Sequence, residues 1–255
     1  MTEGGPPMRH LFCAAGEQAI VRLMQRPVLL AFDVDGTLAP IVARPDDAQV
    51  PTGIARRLAA LSQRCPVAVI TGRSIADVRP RLGFEPAYVI GNHGAEGLDH
   101  GVQAPGLSML LERLQAHAAA LHAAGVQFED KGLSLALHYR LARDREAALR
   151  AISELLTELP ADLHSFGGKC VLNIVARHAP DKGDAALALL RASGCEALLF
   201  VGDDVNDEAV FERALPGWLT VRIGRAQGHS RAMFFLDSTA EMSSLLERVQ
   251  RALGP

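Results

Sequence analysis

Val28-Leu29-Leu30-Ala31-Phe32 runs without a break into Asp33-Val34-Asp35-Gly36-Thr37. Five apolar residues in succession, closed by turn residues, read as a strand buried on both faces. Ligands bind outside the carboxyl ends of strands in parallel sheets, which is where Asp33 stands. Gly36 permits the bend that would turn both carboxylates toward one site, and Thr37 adds a hydroxyl that can cap the next segment. A polar turn that merely ends a strand is the competing reading; it suits a lone Asp-Gly better than this whole run.

Outward from that strand, short apolar runs alternate with longer Ala/Leu/Arg segments whose apolar positions recur three or four apart. Residues 52–62 and 74–82 read as helices, 66–70 and 87–90 as strands. Uninterrupted apolar strands alternating with helices imply a doubly wound parallel α/β sheet covered on both faces. The pattern changes after Gly94. From about Gly101 to His178 it becomes helix (106–124), strand (126–129), strand (133–139), helix (144–159), strand (163–166) and strand (170–175). Helix-strand-strand, occurring twice, suits an inserted α+β cap with an antiparallel sheet. From Asp181 the first pattern resumes: helix to Arg191, strand 197–201, helix from Asn206, strand 219–223 and a last helix through Arg251. The expected organisation is a core of residues 1–100 and 179–255 interrupted by a cap at 101–178.

The 255 residues are 49% apolar and 22% charged, enough for a sizeable core and far from the disordered class. Lys and Arg total 26 against 29 Asp and Glu, with no dense basic run to neutralise a phosphate backbone, so a nucleic-acid partner is not expected. Cys13, Cys65, Cys170 and Cys195 are scattered and form no C-x-x-C pair, which fits reduced thiols and argues against a zinc knuckle or disulfide framework. The turn-rich start Met1 to Pro7 lacks an export signal, and no apolar run reaches membrane-spanning length, so the expectation is a cytoplasmic protein with no membrane partner. Oligomeric state is not legible.

Three more strand ends carry chemistry. Leu198 to Val201 leads into Gly202-Asp203-Asp204-Val205-Asn206-Asp207-Glu208. Hard oxygen donors with few neighbouring His or Cys suit Mg²⁺, with Asp203 the favoured ligand and Asp204 the weaker one. Asp207 and Glu208 also fit a helix start, where negative charge complements the macrodipole. Thr71-Gly72-Arg73-Ser74 offers a hydroxyl and backbone N–H groups that could hold a phosphate oxygen. Lys182, opening the helix that returns from the cap, could supply positive charge for phosphoryl transfer. Each of these last two has an ordinary alternative, a helix cap and a solvated surface lysine.

Asp33-x-Asp35, Thr71, Lys182 and Gly202-Asp203-Asp204, in this order, resemble the haloacid dehalogenase superfamily of phosphotransferases. The resemblance implies that Asp33 attacks phosphorus to form an aspartyl-phosphate. It implies that Asp35 protonates the leaving alkoxide and then activates water. It also implies a Mg²⁺ held by the Asp33 carboxylate, the Asp35 carbonyl and Asp203, with Thr71 and Lys182 on the phosphoryl oxygens. The cap narrows the likeness. Gly91-Asn92-His93-Gly94-Ala95-Glu96, then Glu129-Asp130-Lys131-Gly132-Leu133-Ser134 through Arg140, then Gly168-Lys169-Cys170-Val171-Leu172, are similar to the trehalose-6-phosphate phosphatase family.

In that family the positions of Glu129, Lys131, Arg140 and Lys169 face the sugar. Charged side chains there would make strong, directional hydrogen bonds to sugar hydroxyls; an exposed ion-pair network is the alternative. Gly72, Arg73, His93 and Asn173 complete the expected substrate contacts, whereas His138 is not expected to take part. The family pattern has Glu, then a basic residue and proline, where this chain reads Asn173-Ile174-Val175-Ala176. Asn lacks the charge that strengthens a carboxylate's hold on a hydroxyl. The resemblance makes trehalose 6-phosphate the leading expected substrate, while Asn173 keeps another glycosyl phosphate (a glucosyl- or mannosyl-glycerate phosphate, or sucrose phosphate) as the close alternative; a non-catalytic sugar-phosphate sensor is the alternative of another class. A cap hinged near 97–101 and 178–181 should close over substrate.

Overall fold

The computed structural model describes residues 8–42, 44–97, 104–225 and 230–254. Readings that fall on 1–7 or on 98–101 of the proposed hinge lie outside the described residues. In chain order the elements are β1 (Arg9–His10), α1 (Ala14–Leu23), β2 (Val28–Phe32), α2 (Thr52–Leu61), β3 (Val67–Ile70), α3 (Ile75–Leu82) and β4 (Tyr88–Ile90). Next come α4 (Pro105–Ala116), α5 (Ala118–Ala123), β5 (Gln127–Asp130), β6 (Ser134–His138), α6 (Arg145–Leu155), β7 (Leu163–Gly168) and β8 (Val171–Ala176). The chain finishes with α7 (Lys182–Ser193), β9 (Ala197–Gly202), α8 (Glu208–Glu212), β10 (Trp218–Ile223), β11 (Phe234–Leu236) and α9 (Met242–Ala252). They divide into two compact units, one of residues 1–94 and 181–255 and the other of Ala95–Pro180.

The first unit is a seven-stranded sheet in the order β1-β11-β10-β9-β2-β3-β4, parallel at every pairing. β2 lies inside it, between β9 and β3, and all five of its residues are buried. Val28, Leu30 and Phe32 share a core with residues of α1, α2 and α9 on one face. Leu29 and Ala31, alternating to the other face, are buried as well, and α7 packs against β2 and β3. Each such aliphatic or aromatic side chain removed from water contributes about 1.5–3 kcal/mol, which explains why the centre of the sheet tolerates no polar residue until its carboxyl end. The chain leaves β2 toward β3 and β4 on one side and later adds β9, β10 and β11 on the other, so the strand order reverses between β2 and β9. Their registered ends, Phe32 opposite Val201, bring Asp33 and Asp203 to the topological switch point, where doubly wound sheets bind ligands.

The second unit is an antiparallel sheet, β5-β6-β8-β7, with helices on one face. Leu135, Leu137 and Ile174 point into a core shared with Leu107, Leu110 and Leu114 of α4 and Ala148 and Ile152 of α6. Alternation turns Glu129, Ala136, His138 and Asn173 to the opposite face.

Several elements differ from the sequence reading. The sequence reading does not include β1, α1 or β11, and among the described residues the sheet has seven strands where five are expected. The helix expected over 106–124 is broken at His117, which adopts φ −106°, ψ 12° with its ring Nδ1 hydrogen-bonded to the Arg113 carbonyl. The helix expected from Asn206 is a 3₁₀ turn over Val205–Asp207 followed by the short α8. Among the described residues no helix is long and apolar enough to cross a membrane.

Candidate functional site

Asp33 follows β2 directly, and its N–H continues the ladder to the Val201 carbonyl at 2.9 Å. The loop beyond it is tied by Gly36 N–H to Ala39 O at 2.8 Å and Ala39 N–H to Val34 O at 2.8 Å. Gly36 holds φ +86°, and a Cβ there would stand 2.0 Å from Asp203 Oδ2. Glycine is therefore needed twice over, for the left-handed backbone and for the approach of the β9 carboxylate.

Lys182, only 1% exposed, points its amine into this place. Nζ donates to Asp33 Oδ1 at 2.8 Å and to Asp207 Oδ1 at 2.7 Å. The other Asp207 oxygen accepts the backbone N–H groups of Asp203 at 2.8 Å and Asp204 at 2.9 Å. The lysine is aimed by the start of α7. Asp181 and Asp184 form a capping box there, and Arg213 of the segment after α8 binds Asp181 at 2.6 Å. Gly183 lets that turn approach α8, since a Cβ would meet Ala209 O at 2.4 Å.

Asp33, Asp203 and Asp207 can place one oxygen each within 4.8 Å of one another, all three being buried. Burial drives the Asp33 carboxyl well above its usual range; the Lys182 amine pulls it down, but Asp207 and Asp203 push it further up. Burial would depress Lys182, yet its two carboxylate partners overcome that and hold the amine protonated. Two of the three buried carboxylates share the Lys182 ammonium. An all-oxygen donor set of this kind fits a hard divalent cation such as Mg²⁺. Asp204 stands apart: partly exposed, it caps the 3₁₀ turn by accepting the Val205 N–H at 2.8 Å. Asp207, read from sequence as fitting a helix start, does cap the 3₁₀ turn together with Asp204 and also belongs to the buried cluster through Lys182. Its spacing of three from Asp204 is that of a cap, and nothing local marks the second role.

At the end of β3, Thr71 is fully buried and its Oγ accepts the Arg73 N–H at 3.2 Å. The guanidinium of Arg73, expected on substrate, lies on protein carboxylates. Nε and Nη2 fork onto Asp35 Oδ2 and Oδ1 at 2.6 and 2.8 Å, and Nη1 binds Asp77 at 2.6 Å. Burial would lower its proton affinity, but the bonds to Asp35 and Asp77 raise it overall. Asp77 also receives Arg81 at 2.6 Å. Gly72 lies under the ring of His93, whose Cε1 would be 2.3 Å from a Cβ at that position. His93 (φ 60°) and Asn92 (φ 48°) hold consecutive left-handed conformations. The strain is held by Asn92 N–H on the Arg73 carbonyl at 2.8 Å and His93 N–H on the Thr71 carbonyl at 2.9 Å. Asn206, which sequence reasoning passed over, donates its amide to His93 Nδ1 at 3.1 Å.

In the second unit, His138 donates to Glu129 at 2.9 Å and Lys131 lies 3.9 Å from the same carboxylate oxygen. Lys169 sits in the two-residue turn between β7 and β8, where Cys170 holds φ +63°. Arg140 Nη2 binds the Lys169 carbonyl at 2.9 Å. Asn173 is buried on β8, registered with Ala136 and Phe166. Glu129, Lys131 and His138 are thus grouped, and Arg140 is joined to Lys169. His138 enters a carboxylate pair that sequence reasoning left it out of.

A family model described as trehalose-phosphatase matches residues 31–240. The chain is 32% identical over 259 residues to the trehalose-phosphate phosphatase of Mycobacterium bovis (strain BCG / Pasteur 1173P2), covering 91% of this chain and 63% of that protein. It is 32% identical over 234 residues to the trehalose-6-phosphate phosphatase of Escherichia coli (strain K12), covering 87% of this chain and 86% of that protein. In fold it is similar to the C-terminal domain of the C. albicans trehalose-6-phosphate phosphatase, with a TM-score of 0.79 at 20% identity over 99% of each chain.

Proposed function

Because the chain belongs to the trehalose-phosphatase family, we propose that it hydrolyses trehalose 6-phosphate to trehalose and inorganic phosphate, with Asp33 as nucleophile and Mg²⁺ as cofactor. The observation that carries this reading is the buried Lys182 amine bridging Asp33 and Asp207 at the switch point, with Asp203 beside them. A structural ion pair at the surface would not need a lysine so deeply enclosed, because burial of charge is costly unless function retains it.

Lys182 fixes the Asp33 carboxylate through Oδ1. An Asp33 oxygen forms the bond to phosphorus as the bond from phosphorus to the sugar oxygen breaks, and Asp35 gives its proton to the departing alkoxide. Water then attacks phosphorus, Asp35 takes the proton, and Asp33 is released. Thr71 and Lys182 bind the phosphoryl oxygens. Mg²⁺ held by Asp33 and Asp203, with the Asp35 carbonyl, would supply the charge that offsets repulsion between nucleophile and phosphate. Residues 101–178 act as the cap that recognises the sugar through Glu129, Lys131, Arg140, Lys169 and Asn173, with Gly72 and His93 lining the phosphate side.

The test is phosphate release from a panel of phosphorylated mono- and disaccharides, with Mg²⁺ and with EDTA, ranked by kcat/KM. Trehalose 6-phosphate should rank first, with turnover lost in EDTA. Absence of turnover on every sugar phosphate would overturn the enzyme reading. A tenfold or greater preference for another glycosyl phosphate would overturn the substrate, and Asn173 is the residue that raises that alternative.

A further inference from the structure

Arg73 is held at both ends. Its N–H is on Thr71 Oγ, its carbonyl accepts the Asn92 N–H, and its third guanidinium nitrogen is on Asp77, itself gripped by Arg81. The remaining two nitrogens take both oxygens of Asp35. The two partners differ in freedom: the Arg73 side chain is 10% exposed and that of Asp35 is 40% exposed. The arginine is the fixed member and the aspartate the movable one. A planar fork of this kind sets the orientation of a carboxylate as well as its distance.

We infer that Arg73, braced by Asp77, is a positioning residue for Asp35: the fork parks the carboxylate beside the nucleophile loop and acts as the pivot about which it reaches the leaving oxygen. The inference rests on the reading of Asp35 as proton donor and acceptor. With both oxygens accepting from the guanidinium, the carboxylate has no proton to give. One oxygen must leave while the other stays on the guanidinium, and the freed oxygen takes up a proton from solvent. Asp35 then donates that proton to the sugar oxygen as the bond from phosphorus to that oxygen breaks, and the carboxylate so formed accepts a proton from the water that attacks phosphorus.

The readout is kcat/KM, which covers steps only through departure of the leaving group, for two substrates. Trehalose 6-phosphate releases an alkoxide that needs a proton; p-nitrophenyl phosphate releases a phenolate that does not. Misplacing a catalytic group by about 1 Å costs roughly 10²-fold, so Arg73→Met should lower kcat/KM about 30- to 100-fold on trehalose 6-phosphate and less than about threefold on p-nitrophenyl phosphate. Arg73→Lys, whose ammonium cannot span both oxygens, should recover part of the loss, and Asp77→Asn should show the same selectivity at about 3- to 10-fold. In an Asp35→Asn background, Arg73→Met should cost nothing further on either substrate. Equal losses on both substrates would mean that Arg73 serves phosphate binding or the fold, and would overturn the inference, as would no loss on either. If Arg73→Met melts below the assay temperature, Arg73→Lys and Asp77→Asn decide by the same split. Asp35→Asn alone separates the two levels of argument: if it shows no split, the proton-donor reading fails; if it shows the split and the Arg73 and Asp77 variants do not, only this inference fails.

Discussion

Gly36→Ala is the perturbation whose consequence derives most directly from geometry. At φ +86° an alanine pays the left-handed penalty, about 1–2 kcal/mol. Its Cβ would also sit 2.0 Å from Asp203 Oδ2, whereas an ordinary contact begins at 3.4 Å, so the carboxylate must retreat by the difference, 3.4 − 2.0 = 1.4 Å. A displacement of that size at the reacting centre corresponds to roughly a 100-fold loss of kcat/KM. The Mg²⁺ concentration for half-maximal activity should rise about 10- to 100-fold, because Asp203 is a proposed ligand. Gly194→Ala is the control: Gly194 closes α7 at φ +67° with nothing within 4 Å of its would-be Cβ. It should carry the same backbone strain, lowering Tm by roughly 2–8 °C, with unchanged activity. Phosphate release against Mg²⁺ concentration, with thermal melts of both variants, reads the comparison. If folded Gly36→Ala keeps kcat/KM and its Mg²⁺ requirement within threefold of the wild type, the placement of Asp203 against the nucleophile loop is refuted.

Lys182→Met leaves Asp33 and Asp207 facing each other without their shared cation, so urea denaturation in EDTA should show a loss of about 3–5 kcal/mol. Mg²⁺ should restore more stability to this variant than to the wild type; a loss below about 1 kcal/mol would mean that the amine is not paired as described. The Asp77 carboxyl, pushed up by burial but held below its ordinary value of 3.8 by Arg81 and Arg73, gives a pH signature. Its folded value lies below its unfolded one, so its contribution is complete above about pH 4 and is lost as pH falls through the depressed value. The stability gap between wild type and Asp77→Asn should therefore narrow in acid, and a gap independent of pH would contradict the ion pairs. Asn173→Glu introduces a buried carboxylate at a cost of about 1–3 kcal/mol and should not raise kcat/KM on trehalose 6-phosphate; a tenfold rise would point to a different native substrate.

The legible part of the fold tracks the range of the interactions. β2 and β9 could be read because an apolar run ended by Gly and Asp is a local pattern, and Asp33 and Asp203 came with them. β1 and β11, two and three residues long, are too short for periodicity to register, and their pairing with each other spans most of the chain. The break at His117 depends on one ring reaching a carbonyl four residues back, inside a stretch whose apolar spacing is helical throughout. Lys182 could be singled out only by its place in a series of motifs, because its partners lie 149 and 25 residues away. The same holds for Arg73. An arginine beside a phosphate-binding turn suggests substrate, and nothing local indicates that Asp35, 38 residues earlier, occupies its fork. Asp207 illustrates a different limit: its two oxygens do two things, accepting backbone N–H groups as a cap does and binding Lys182, and only the first is written in neighbouring residues.

The central claim is that Asp33 carries the phosphoryl group. It is tested by rapid acid quench of the enzyme with Mg²⁺ and trehalose 6-phosphate labelled at phosphorus, and then by peptide mapping. The account predicts a transient, hydroxylamine-labile label on the peptide that holds Asp33, with none in Asp33→Asn. Label on a different residue, or normal turnover by Asp33→Asn, would contradict it.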